Sequence, residues 1–249
     1  MSEATDVSAR PTISVIIPAL NEAANIADAV REATAALGAR FSDYEILLFN
    51  DGSSDRTGEI MDDLARADPH LRVFHHDRPR NLGGVYKHGI EEARFEYVIM
   101  VPGDNENPGS ALQAPFDALG QADMVLPYST NLHARPWIRR VGSVGYTALV
   151  NALFGGGVRY YNGTVIHRLE NLRAITVRTS SFAYQTEILV KLLRRGASFV
   201  EVGIQIEPRQ GARSHALRVK NLVAVLEALT DLWVDVHLRD RSPRQPRYT

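Results

Sequence analysis

Apolar residues in this chain come in short, dense runs separated by polar loops, and the run VIMVPGDNENP (Val98 to Pro108) sets the pattern. Val98 to Val101 is a buried-strand run that stops at Pro102 and Gly103 and delivers Asp104 and Glu106 into a turn. Thr12 to Pro18 (TISVIIP) is a β-branched run of the same kind, followed by Ala19-Leu20-Asn21-Glu22 and an alanine-rich helical pattern over Ala23 to Leu37. Tyr44 to Asn50 repeats the plan, with DGSSDRT (Asp51 to Thr57) leading into a helix that carries Ile60, Met61 and Leu64 and ends near Asp68-Pro69. Leu71 to His75 predicts a third strand, then a loop with Arg78, Arg80, Asn81, Leu82, Gly83 and Gly84, then a helix to Ala93. Strands alternating with helices through Pro108 predict an α/β fold with a mostly parallel sheet covered on both faces. Ligands are then expected at the carboxyl ends of the strands, where all four loops sit.

Beyond Pro108 the pattern predicts a strand over Met124 to Tyr128 and a helix over Trp137 to Phe154, broken by Gly142 and Gly145. Gly155-Gly156-Gly157 makes a flexible turn. A helix over Phe182 to Leu193 and a strand over Ser198 to Ile206 follow. Leu217 to Leu238 places Leu222, Val225, Leu226, Leu229, Leu232, Trp233 and Val236 on one face, opposite Lys220, Glu227, Asp231 and Asp235. That stripe is expected to pack on the parent domain, with a dimer contact or a membrane surface as the alternatives. The tail from Arg239 is basic and contains proline.

Composition narrows the function. At 249 residues and 45% hydrophobic the chain can bury a large core as one domain. A net charge of −1, from 28 basic and 29 acidic residues, argues against nucleic-acid binding, so any anion site must be local. The absence of cysteine removes disulfides, thiolate metal sites and a cysteine nucleophile, and it fits a cytoplasmic protein. The first eleven residues lack a secretory leader's apolar stretch, and no run approaches the ~18 to 20 apolar residues of a membrane span. By itself the acidic turn at Asp104 reads first as a strand-to-helix turn with Asn107 or Ser110 as a cap. Carboxylates two residues apart in an extended loop can also face one divalent cation. His75 and His76, adjacent at a strand end, point to opposite faces and are expected to be structural.

VIIPALNE, NDGSSDRT, RNLGGVYKHG, GDNE, YNG, YQTEIL and RQGARS occur in that order from about Ile13 to Ser214. This series resembles the family 2 nucleotide-sugar glycosyltransferases, which have the GT-A fold, and within them the dolichol- or polyprenyl-phosphate sugar synthases. The resemblance implies a donor-binding half at about 12–127, an acceptor-binding part at 128–215, a C-terminal helix at 216–238 and a tail at 239–249. It implies that Pro18, Leu20, Asn21 and Glu22 wrap the nucleotide, and that Asp51 hydrogen-bonds the base or ribose. Ser53 or Ser54 is expected to cap the helix after Asp51, and Gly83 to give a donor room. The family's metal motif has two aspartates flanking one residue; here Pro102 stands first, Asp104 second, and Glu106 stands where a glutamine is frequent. Asp104 and Glu106 are therefore the expected ligands of Mg²⁺ or Mn²⁺, shared with the donor diphosphate.

The same resemblance implies an inverting transfer from a UDP- or GDP-sugar to a polyprenyl phosphate, at the inner face of a membrane. Arg139 and Ser143, with Arg209 and Ser214, match residues that hold the acceptor phosphate. Pro127, Arg159, Ala212 and His215 depart from the pattern and leave open a soluble hydroxyl acceptor, with Glu187 as its base. A nucleotide-sugar-binding protein without turnover is a third reading. Peripheral membrane contact and a homo-oligomer stay open. A dinucleotide-binding oxidoreductase is disfavoured, because ALNEAA and not G-x-G-x-x-G follows the first strand.

Overall fold

One seven-stranded sheet in the order β3-β2-β1-β4-β6-β5-β7 forms the centre of the computed structural model. The structure describes residues 10–105, 109–131, 137–205 and 219–239, apart from the side chains of Ala39, Arg139 and residues 219–222. Strands β1 (Thr12–Ala19), β2 (Asp43–Asn50), β3 (Leu71–His75) and β4 (Tyr97–Met100) alternate with α1 (Ile26–Leu37), α2 (Thr57–Ala67) and α3 (Asn81–Glu92). Then come α4 (Ser110–Asp117), β5 (Met124–Ser129), α5 (Trp137–Phe154), β6 (Ile166–Arg168), α6 (Leu169–Arg173), α7 (Tyr184–Arg194) and β7 (Phe199–Ile204). Helix α8 (Val219–Val234) continues into a π-helical turn, Asp235–Arg239.

Successive residues of a strand face opposite sides, which explains why the strands read as unbroken apolar runs. Ile13, Val15 and Ile17 of β1 pack with Ile26 and Val30 of α1, Met61 of α2 and Phe116 of α4. Ile16 joins the other face, with Tyr86 and Ile90 of α3, Ile188 and Leu189 of α7, and Leu229 and Leu232 of α8. Burying each such aliphatic side chain is worth roughly 1.5–3 kcal/mol, so one polar substitution in β1 removes contacts on a covered face.

β1 pairs in parallel with β2 and β4, β2 with β3, and β5 with β7. β6 runs antiparallel to both β4 and β5. The two reversals cancel, so β5 runs the same way as β1 to β4. The carboxyl ends of β1 to β5, and of β7, therefore lie along one edge. The three-residue β6 is too short for a periodic signal and was not expected.

Two expectations are corrected here. Helix α5 runs unbroken through Gly142 and Gly145. A Cβ at either would meet nothing within 4 Å, so both lie on the open side. The ~1 kcal/mol helix cost of each glycine is outweighed by the packed side, where Val150 is buried and Tyr146 and Phe154 lie against the core. The first helix begins at Ile26 and not at Ala23, because the carbonyl of Glu22 accepts from the N–H groups of Asn25 and Ile26 and closes a turn first.

Candidate functional site

The edge formed by the strand ends is held by hydrogen bonds between its loops. The β1–α1 loop docks on the β2–α2 loop. The Asn21 N–H donates to Ser53 Oγ (3.0 Å), Ser54 N–H to Asn21 Oδ1 (2.8 Å), and Glu22 N–H to Thr57 Oγ1 (2.8 Å). Asn21 sits at φ +58, a left-handed conformation that asparagine tolerates better than most residues. The serines expected to cap α2 do not: its cap is Arg56, with no side-chain bond, and both hydroxyls are turned to Asn21. Asp55 accepts the N–H of Thr57 (3.0 Å) and of Ala23 (3.2 Å). The Thr57 hydroxyl, with those amides, holds the Asp55 carboxyl below the ordinary range.

Of the residues expected to wrap a nucleotide, Pro18 is buried at the end of β1 and its carbonyl accepts Gly103 N–H (3.1 Å). Leu20 is 45% exposed on the edge, and Glu22 bonds the Asn25 amide (2.6 Å).

Asp51 follows β2 directly and is buried. Its Oδ1 accepts from His76 Nδ1 (2.8 Å) and Arg80 N–H (2.8 Å), and its Oδ2 accepts Asn81 N–H (3.1 Å). Asn81, at φ +61, opens α3 with its amide turned to the carboxylate. Gly52, at φ +77, lies where a Cβ would stand 2.9 Å from Pro79 Cδ, so only glycine lets the two loops meet. Behind Asp51, His76 Nε2 lies 3.0 Å from His88 Nδ1 of α3. Burial, with His76 and Arg80 nearby, lowers the His88 pKa. His75 does point elsewhere, to Asn50 Nδ2 (3.1 Å) and Asp62 Oδ1 (3.0 Å).

Asp104 stands at the end of β4, half-buried, beside a backbone pinned by Gly103. A Cβ on Gly103 would stand 2.9 Å from the Pro18 carbonyl, which keeps the turn close to β1. The next residue, Asn105 at φ +56, sends its amide to Glu32 Oε1 (3.2 Å) of α1. The described part of this turn therefore offers one carboxylate. A hard divalent cation takes six or more oxygens, so an oxygen donor of this kind fits a cation whose shell is completed by substrate and water. Among the described residues no group of three or more His, Cys, Asp or Glu could hold a metal. Glu106, Arg209, Ser214 and the side chain of Arg139 lie outside the described residues.

Gly83 is filled by packing: a Cβ there would stand 2.8 Å from the Ser180 Cα and C atoms. The glycine thus lets α3 meet the 178–181 segment. Lys87 Nζ ties the same segment through Arg178 O (3.1 Å) and Ser180 Oγ (3.0 Å). Glu187, expected as a base for a hydroxyl acceptor, is buried, and its oxygens accept Arg178 N–H (2.9 and 3.1 Å), Thr179 N–H (2.9 Å) and Lys191 Nζ (2.6 Å). Asp235, expected on a solvent face, instead pairs with Arg178 and reaches Lys191 (3.7 Å).

On the far side of the edge, Ser143 lies half-buried on α5. Trp137, Ile138, Val141 and Val144 of that helix are 55–68% exposed. The α8 stripe divides: Leu229, Leu232 and Val236 are buried, as packing on the parent domain requires, while Leu226 and Trp233 are exposed, as are Val223 and Leu238 outside the stripe. Among the described residues no helix is long and apolar enough to cross a membrane.

The family model described as glycosyl transferase family 2 matches residues 14–140. Glycosyltransferase AglD of Haloferax volcanii is 25% identical over 243 residues, covering 94% of this chain and 39% of that protein. Polyprenol monophosphomannose synthase of Mycolicibacterium smegmatis is 28% identical, with 81% of this chain and 80% of that one covered. The undecaprenyl-phosphate 4-deoxy-4-formamido-L-arabinose transferase of Edwardsiella ictaluri is 25% identical and covered over 66% of its length. The chain thus spans between about two-fifths and two-thirds of two of these relatives. Among solved structures, glucosyl-3-phosphoglycerate synthase of Mycobacterium tuberculosis, in complex with Mn²⁺, UDP and glucosyl-3-phosphoglycerate, superposes with a TM-score of 0.67 at 18% identity. The match covers 89% of this chain and 80% of that one.

Proposed function

The chain belongs to glycosyl transferase family 2 and has the GT-A fold, and we propose that it transfers a sugar from a nucleoside-diphosphate sugar, UDP- or GDP-linked, to a polyprenyl phosphate. The single observation that carries this reading is the convergence of the β1, β2, β3 and β4 loops on one edge, in a chain whose helix α5 exposes the apolar Trp137, Ile138, Val141 and Val144. A substrate pair made of a polar nucleotide and a long apolar lipid with an anionic head suits that division.

In this reading Asp51 and the Pro18 to Glu22 loop receive the nucleotide. A carboxylate has about four acceptor positions, and three donors from the described residues occupy three of them on Asp51; in this reading an N–H or O–H of the ligand takes the fourth, on Oδ2. Asp104, with Glu106, would hold Mg²⁺ or Mn²⁺, and the bound ion would supply positive charge against that growing on the leaving diphosphate. Arg139, Ser143, Arg209 and Ser214 bind the acceptor phosphate. That acceptor is already an anion, so inversion needs no strong base. The capture of Glu187 by two backbone amides and Lys191 supports this acceptor over a hydroxyl one.

The test is transfer of labelled sugar by the purified chain with UDP- and GDP-sugars, Mg²⁺ or Mn²⁺, and a short polyprenyl phosphate. Label in the butanol phase is expected. Label that stays in the aqueous phase with a soluble acceptor would replace the lipid, and binding without transfer would leave a nucleotide-sugar-binding protein.

A further inference from the structure

We propose that His76 is a positioning residue for the donor nucleotide, and that His88 braces it by bonding its Nε2. The proposal rests on Asp51 receiving the nucleotide, as above. His76 is buried, with its side chain 2% exposed, and its two ring nitrogens face two partners, Asp51 Oδ1 at 2.8 Å and His88 Nδ1 at 3.0 Å. An ionised carboxylate only accepts, so the Nδ1 that faces it must carry a proton. A neutral imidazole with its proton on Nδ1 has a bare Nε2, which then accepts from His88 Nδ1–H. Which nitrogen of a histidine is protonated is set by the bond the other makes. The order of donation is therefore His88 to His76 to Asp51.

The consequence falls on the donor loop. His76 and Arg80 N–H share Oδ1, and among the described residues Oδ2 accepts from Asn81 N–H. Without the imidazole, Oδ1 loses a donor, and rotation of the carboxylate about its terminal bond would disturb both backbone amides that start α3. Phe49 and Phe74 pack on His88, at ring-centroid distances of 5.1 and 5.3 Å, and keep the pair in place. Such an arrangement exceeds what a core histidine needs, because each buried nitrogen serves the next group in line to the edge.

The test measures binding of UDP and of GDP, each with Mg²⁺, by titration calorimetry on the full chain and four variants, with melting curves for each. His76→Ala should weaken binding about 10-fold or more, as loss of a buried bond to a charged group does. His76→Asn places an amide N–H where Nδ1 stands and should return affinity to within about threefold of the parent. His88→Phe should weaken binding in the parent but add nothing in the His76→Asn background, because no Nε2 remains there to be braced. Nitrogen-15 NMR of the parent should show His76 with the proton on Nδ1, and in His88→Phe the bare Nε2 resonance should shift as it loses its donor. A well-folded His76→Asn as weak as His76→Ala, an additive His88→Phe, or a proton on His76 Nε2 would overturn the proposal. A parent chain that binds neither nucleotide would instead overturn the function reading on which the proposal stands.

Discussion

The donor edge and the α5–α8 surface of this protein solve the same folding problem in opposite ways. At the edge, loops that end apolar strands are closed by side chains bonding backbone: Asp51 takes two amides, Asp55 two, and Asn21 one. The helices opposite bury one face and leave another apolar face open, with Trp137 68% exposed and Leu226 52% exposed. A site for a small polar ligand needs fixed donors and acceptors, whereas a surface for a long apolar partner needs area and little else. The difference teaches where function is encoded: in single hydrogen bonds on one side and in residue type along a helix on the other.

Four outcomes would break or sharpen that contrast. The largest effect is expected at Asp104. Asp104→Asn should reduce labelled-sugar transfer by about 10²-fold or more, the scale of losing a transition-state charge partner, with an unchanged melting curve. Transfer that survived would move the chemistry away from this turn. Next, Gly83→Ala should cost about 1–3 kcal/mol, because the new methyl group meets the Ser180 backbone, which cannot rotate away. Urea unfolding measures it, and an unaffected midpoint would mean that α3 and the 178–181 segment are not rigidly joined.

The seam between the two regions is β6, where wholly buried His167 has its pKa pushed down to about 3 by burial. Its unfolded value is about 6.5, so the unfolded chain binds the proton more readily. Stability is then whole above about pH 6.5 and is lost as pH falls toward 3, at about 1.4 kcal/mol per pH unit for one proton. His167→Gln should flatten that acid limb, and acid unfolding followed by circular dichroism reports it. The smallest effect on stability belongs to the open helix face. Val141→Ser and Val144→Ser together should change stability by no more than about 0.5 kcal/mol per site, yet lower co-sedimentation with vesicles of anionic lipid. Equal sedimentation would give that face another occupant, such as a second copy of the chain.

Much of this was legible in the chain. The third strand, Leu71–His75, has the predicted bounds, and the other strand-helix units fall within a few residues of theirs, because apolar runs and turn residues report burial directly. Other features were hidden for stated reasons. β6 is three residues long and carries no period. Ser53 and Ser54 look like caps in any linear reading, and only the approach of Asn21, 32 and 33 residues away, claims them. Glu187 reads equally well as a base or as a brace, since the amides that occupy it belong to another segment. His76 and His88 are twelve residues apart, and no linear pattern announces that their rings meet.

By itself the sequence determined the alternation of strands and helices, the edge where their loops meet and the acidic turn at Asp104, because these depend on local periodicity and on residues close in the chain. The tertiary structure alone decided which polar groups are already taken. A hydrogen bond is made between whichever groups packing brings within about 3 Å; the partners of Asp51 lie 25 to 30 residues along the chain, those of Glu187 in the loop before its helix and one turn further along it, and Gly83 is claimed by packing against Ser180.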